Sequence, residues 1–256
     1  MKLSMSNGIF RRFPLEKNLT QIKQLGFENI EFNMKTVKRE HEEMVYDAMK
    51  LLSEIGLNCL TLHSATHYVS DEIEIPKAVY YLKVSAEFAY RLQAPIMVIH
   101  SNVMRRLPEE ARRRFIKKVF GEIVPYAKNL GIKLSLENLS YANRGYGKNV
   151  AELDQILNIA GDLDMGITLD TSHALATGVI DSMLEKYHEH LNNVHLSRRR
   201  HGYYNKQEPD LVDFITKLCE YHYQGPLTME LSQRCSVEEI AQTKIIIEKT
   251  ISACNK

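Results

Sequence analysis

Apolar and polar positions alternate in eight short runs along the chain: KLSMS, NIEFN, CLTLHS, IMVIHS, KLSLEN, GITLD, NNVHLS and PLTMEL. Successive side chains of a strand point to opposite faces, so each run predicts a strand with an apolar face and a second face of different character. Between the runs, apolar positions recur at helical spacing over 15–25, 40–55, 77–93, 108–130, 150–160, 180–190, 208–222 and 236–252, which predicts amphipathic helices. Gly26, Gly56, Gly131 and Gly161 stand at or near the helix exits, where a left-handed backbone is often required. No Gly/Ser/Pro-rich linker divides the 256 residues. Strand–helix alternation repeated eight times predicts an α/β protein made of a single (β/α)8 TIM barrel, with 1–256 as one domain.

The phase of each strand decides which side chains line the barrel. If Glu137 points inward, so do Ser135 and Lys133, while Leu134 and Leu136 face the helices. The same alternation turns Asp170 and Thr168, His195 and Asn193, and Glu230 and Thr228 inward, together with Glu31, His63 and His100 from strands two to four. These groups lie at or near the last position of their strands, the end at which the active sites of this fold are built. Glu137, Asp170, His195 and Glu230 can therefore converge on one cation. Three carboxylates and an imidazole form a hard, anionic donor set suited to Mg, Mn, Co or Zn. A lone strand-end Glu or His more commonly forms a salt bridge across the barrel mouth. Four together would repel one another in a poorly solvated mouth, and a divalent metal ion reverses that balance.

The segments LEN at 136–138, LDTSH at 169–173, VHLS at 194–197 and MEL at 229–231 resemble the strand ends of the xylose-isomerase-like barrels, in the same order over nearly the whole chain. That superfamily includes sugar isomerases, ketose 3-epimerases and abasic-site nucleases of the endonuclease IV type. The resemblance implies that Glu137, Asp170, His195 and Glu230 are the metal ligands. It matches His173 to a histidine that contacts substrate in the epimerases and binds an additional zinc in the nuclease. His63 and His100 match positions of a further nuclease zinc. They have two readings: an additional zinc site, or hydrogen bonding to substrate or neighbouring side chains. The nuclease pattern also has an Asp-x-His pair after strand seven. HLSRRRHGYYNKQEPD has none, which argues against a third zinc. Arg198, Arg199 and Arg200 instead bring positive charge near the expected metal, and Arg198 or Arg200 can bind a phosphate, carboxylate or sugar hydroxyl.

The expected function is thus metal-dependent isomerisation or epimerisation of a small sugar or sugar phosphate, most concretely ketose 3-epimerisation through an enediolate. Glu137 and Glu230 serve as the two proton-transfer groups. Abasic-site phosphodiester hydrolysis at a multinuclear zinc site, with nucleic acid as the partner, is the alternative.

Composition narrows the setting. Lys and Arg total 33 against 32 Asp and Glu, so no global field draws the chain to nucleic acid or an anionic membrane. The start MKLSMSNGIFRRF lacks a signal-peptide apolar region, no run is long enough to predict a membrane span, and a cytoplasmic location is expected. Cys59, Cys219, Cys235 and Cys254 contain no C-x-x-C pair, which predicts reduced structural thiols. In 105–118, Glu109/Arg113 and Glu110/Arg114 have the i,i+4 spacing of an ordinary solvated helix face. NRGYGKN, 143–149, is a candidate substrate-covering loop without a nucleotide-binding fingerprint.

Overall fold

In the computed structural model, which describes residues 1–36, 41–161 and 165–254, the eight alternating runs become eight parallel strands. These are β1 (Lys2–Ser6), β2 (Asn29–Asn33), β3 (Asn58–His63), β4 (Ile96–Ile99), β5 (Lys133–Glu137), β6 (Gly166–Asp170), β7 (Leu191–Leu196) and β8 (Pro226–Met229). They pair in chain order and close through β1 and β8 into a barrel. The helices are α1 (Leu15–Gln24), α2 (His41–Ile55), α3 (Ile75–Arg91), α4 (Glu109–Asn129), α5 (Val150–Ala160), α6 (Thr171–Thr177), α7 (Ile180–Tyr187), α8 (Pro209–Glu220) and α9 (Val237–Cys254). No helix among the described residues is long and apolar enough to cross a membrane.

The predicted phase sets the packing. Leu134, Leu136, Ile167, Leu169, Val194, Leu196, Leu227 and Met229 belong to the apolar core between barrel and helices. The inward positions are polar and pair with one another. Ser4 Oγ meets Thr228 Oγ1 at 2.7 Å, Thr228 Oγ1 donates to Asn193 Oδ1 at 3.1 Å, and Ser135 Oγ meets Thr168 Oγ1 at 2.7 Å. Such pairing lets a hydroxyl-rich interior be buried without unmatched dipoles. Lys133, expected inward, is exposed at the first position of β5, away from the mouth.

Two departures bear on the site. The helical pattern at 180–190 divides into α7 and a 3-10 turn, His188–His190. A separate short helix, α6, starts immediately after Asp170, so the end of β6 is also a helix N-cap. His100 and Glu230 stand one residue beyond β4 and β8, on the first backbone free of the ladder.

Candidate metal centre

Glu137, Asp170, His195 and Glu230 present donor atoms that all lie within 4.8 Å of one another. His195 Nδ1 is 3.5 Å from Glu137 Oε1, 3.8 Å from Asp170 Oδ2 and 3.2 Å from Glu230 Oε2. Asp170 Oδ2, His195 Nδ1 and Glu230 Oε2 are buried without a hydrogen-bond partner. Buried polar atoms are almost always matched, so three orphaned donors around one point fit a cation.

Each side chain is fixed from behind. Glu31 sits on β2 where the register shifts between Ile30 and Glu31. Its Oε2 accepts hydrogen bonds from His195 Nε2 at 2.8 Å, Thr61 Oγ1 at 3.0 Å and Asn193 Nδ2 at 3.3 Å. With Nε2 donating to a carboxylate, a ring that gives up its other proton to a cation would turn the Nδ1 lone pair toward the cluster, the arrangement found behind metal-bound histidines. Asp170 divides its oxygens: Oδ1 accepts the His173 N–H at 2.8 Å as the cap of α6, and Oδ2 remains free. Asn138 brackets the Asp170 backbone, accepting its N–H at 2.7 Å and donating to its carbonyl at 3.1 Å.

Two further donor groups adjoin the first. His63 and His100 direct Nε2 at Glu137 Oε2 from 3.1 and 2.9 Å. Behind them, His63 Nδ1 meets the Ser64 carbonyl at 3.2 Å and His100 Nδ1 meets the Tyr68 hydroxyl at 2.8 Å. On the other flank, Asp170, His173 and His201 form a third group. His173 Nδ1 meets the Asn138 carbonyl at 2.9 Å and His201 Nδ1 meets the Glu230 carbonyl at 3.1 Å, so donation to these carbonyls leaves both Nε2 atoms free to ligate. The absence of an Asp-x-His pair after strand seven argues against a third zinc. His201 supplies a third donor group nonetheless, because Asp170 takes the part of the acidic partner.

The electrostatics express an unmet demand for positive charge. Burial alone would favour a neutral His195 ring, but the charges of Glu31 and Glu230 outweigh it and hold the ring well above the ordinary imidazole value. Burial pushes Asp170 well above the carboxylate range, opposed by His201 and reinforced by Glu230 and Glu137. Burial would also raise Glu137 and Glu230; His100 for the first and His195 for the second override it and keep both well below that range. A divalent ion would satisfy all three carboxylates.

Of the two arginines singled out in the sequence, Arg200 lines a cavity of about 360 Å³ together with Glu230 and His201, whereas Arg198 Nε pairs with Glu208 at 3.0 Å. The 143–149 loop is clasped. Glu152 accepts the N–H groups of Gly147 and Lys148, and Lys148 Nζ donates to the carbonyls of Tyr141 and Asn143 at 2.7 and 2.6 Å.

These roles of Glu31, Asn138 and His201 leave no mark in the sequence that assigns them. Inward phase is a usable signal for Glu31. His201 ends a three-residue 3-10 turn, Arg199–His201, at a φ of 54°, and so short a turn has no periodicity to read.

With this geometry in place, the sequence matches the family described as xylose isomerase-like TIM barrel over residues 19–249. The chain belongs to that family. Two Methanocaldococcus jannaschii proteins resemble it. MJ1311 is 23% identical over 188 residues, covering 68% of this chain and 62% of its own length. MJ1188 is 23% identical over 250 residues, covering 91% and 90%. Among solved structures, a D-tagatose 3-epimerase-like protein superposes with a TM-score of 0.83 at 19% identity, covering 100% of this chain and 98% of its own. At that identity the likeness establishes the shared fold. The mouth of the family's barrel is where the three donor groups stand.

Proposed function

We propose that this chain is a divalent-metal-dependent isomerase or epimerase of a small sugar or sugar derivative, most concretely a ketose 3-epimerase. The observation that carries this reading is the convergence of Glu137, Asp170, His195 and Glu230, with unpartnered Asp170, His195 and Glu230 atoms, beside a cavity of about 360 Å³. A cavity of that size matches a small polar ligand. Similarity to a protein described as D-tagatose 3-epimerase-like supports the reaction class.

Glu137, Asp170, His195 and Glu230 would hold the ion, which supplies Lewis-acid polarisation of adjacent carbonyl and hydroxyl oxygens. Glu230 is the proton-transfer group nearer the cavity: its side chain is 18% exposed, against 1% for Glu137. It removes a proton from the substrate carbon as charge spreads into the neighbouring carbonyl. Glu137 is the second group: in its protonated form it returns a proton to the opposite face of the same carbon, and the His63 and His100 nitrogens at its Oε2 are placed to replace that proton. His173 orients a hydroxyl and Arg200 holds the distal end.

The alternative, phosphodiester hydrolysis at abasic DNA with several metal ions, is favoured by one observation: the three donor groups share Glu137 and Asp170. A ketose panel in D2O separates the readings. Metal-loaded protein is expected to introduce deuterium at the carbon next to the carbonyl, and Glu137→Gln or Glu230→Gln to slow exchange by roughly 100-fold or more. Unchanged exchange in both variants removes the proposed bases. Cleavage of an abasic duplex without ketose exchange selects hydrolysis.

A further inference from the structure

The cavity that Glu230 and His201 share with Arg200 has a second character. Arg11 and Arg12 from the loop after β1, Lys35 after β2, Arg200 after β7 and Arg234 after β8 all line it. Five cations from four separate loops thus face one space in which Glu230 is the acidic lining residue. All five are exposed, and among the described residues none is ion-paired, in contrast to Arg198 on Glu208. Like charges gathered this way repel unless an anion sits among them.

The floor of the same space supplies an independent observation. Ser6 lines the cavity at 1% exposure, in the inward phase of β1, and its Oγ has no hydrogen-bond partner. Its sister Ser4, two residues earlier, is paired with Thr228. A buried, unmatched hydroxyl lining the same space as four guanidinium groups can donate to an oxyanion bound there.

We infer that this cleft is an anion subsite for the phosphate of a phosphorylated small sugar, an inference that rests on the isomerase reading and specifies its substrate class. Arginine forks match phosphate oxygens two at a time, and a phosphate monoester dianion balances a cluster of this size better than a single carboxylate does. A volume of about 360 Å³ is on the scale of one small molecule. The ester is held by Arg11, Arg12, Lys35, Arg200 and Arg234, and the sugar carbons extend from it toward Glu230.

The test is calorimetric titration of the full chain with inorganic phosphate, fructose 6-phosphate and fructose, repeated on the Arg11→Gln/Arg234→Gln double variant and on Asp170→Asn. Wild type and Asp170→Asn are expected to bind phosphate, and the double variant to bind it roughly tenfold or more weakly. Fructose 6-phosphate should bind more tightly than fructose. Equal phosphate affinity in the double variant overturns the subsite, as does loss of phosphate binding in Asp170→Asn alone, which would put the anion on the metal. Displacement of phosphate by an abasic duplex at lower concentration than by fructose 6-phosphate overturns the small-sugar assignment. Because these readouts need no turnover, phosphate binding with no ketose exchange refutes the isomerase reading and leaves the anion cleft. Exchange of a ketose with the same KM as its phosphate ester refutes the cleft and leaves the isomerase.

Discussion

Glu31 shows how much a single side chain contributes. It touches no substrate in the proposed mechanism, yet its Oε2 collects three hydrogen bonds and fixes the face that His195 presents to the cluster. Glu31→Gln removes the charge that steadies the His195 ring and places an amide where three donors need an acceptor. Metal affinity is expected to fall roughly 10–100-fold, the usual effect of losing such an outer partner, measured by competition with a chromophoric chelator. Unchanged affinity would show that His195 needs no such support. The inward phase makes Glu137, Asp170, His195 and Glu230 legible in the sequence, because a strand's two-residue period is local. The partnership of Glu31 with His195 is not legible: it joins residues 164 apart across the barrel and leaves no local signal. Arg198 and Arg200 look equivalent in sequence, and only the positive φ of Arg200 and the Glu208 partner of Arg198 separate them.

At the scale of elements, the end of β6 and the loop after β5 carry the most. ITLDTSHALATG, 167–178, reads as a strand running into a helix start, with Asp170, Thr171 or Ser172 as its cap, and also as a metal-ligand position; the structure joins the two readings, since Asp170 commits one oxygen to α6 and keeps the other for the cluster. Strand number and order are legible from periodicity. The helix start after Asp170 is legible too, but the length of α6 is not, because seven residues are too few to impose a helical period. The loop expected to cover substrate, 143–149, also acts as a strut. Gly145 bridges to Met104, and a Cβ there would lie 2.5 Å from the Tyr68 ring and 2.7 Å from Leu139. Tyr68 in turn meets His100 Nδ1 at 2.8 Å. Gly145→Ala must therefore move the ring that positions His100, at a cost of about 1–3 kcal/mol from overpacking, and should lower the urea midpoint. An unaltered midpoint would mean that the loop yields freely and is no strut.

For the whole molecule, the formal net charge of +1 conceals a separation. The acidic groups gather at the end of the barrel interior while basic side chains from four loops ring the cavity above Glu230. Deeper in the interior the hydroxyls of Ser4, Ser135, Thr168 and Thr228 are paired, whereas Ser6, Glu31, Asp170, His195 and Glu230 each keep an unmatched atom toward the mouth. The barrel thus holds a rigid anionic point against a cationic rim. Whether that point is a metal centre is decided by crystallographic anomalous scattering from protein loaded with Mn²⁺ or Zn²⁺. A peak in ligating contact with Glu137, Asp170, His195 and Glu230 is the expected result; at saturating metal, a map with no peak among these four side chains would contradict it.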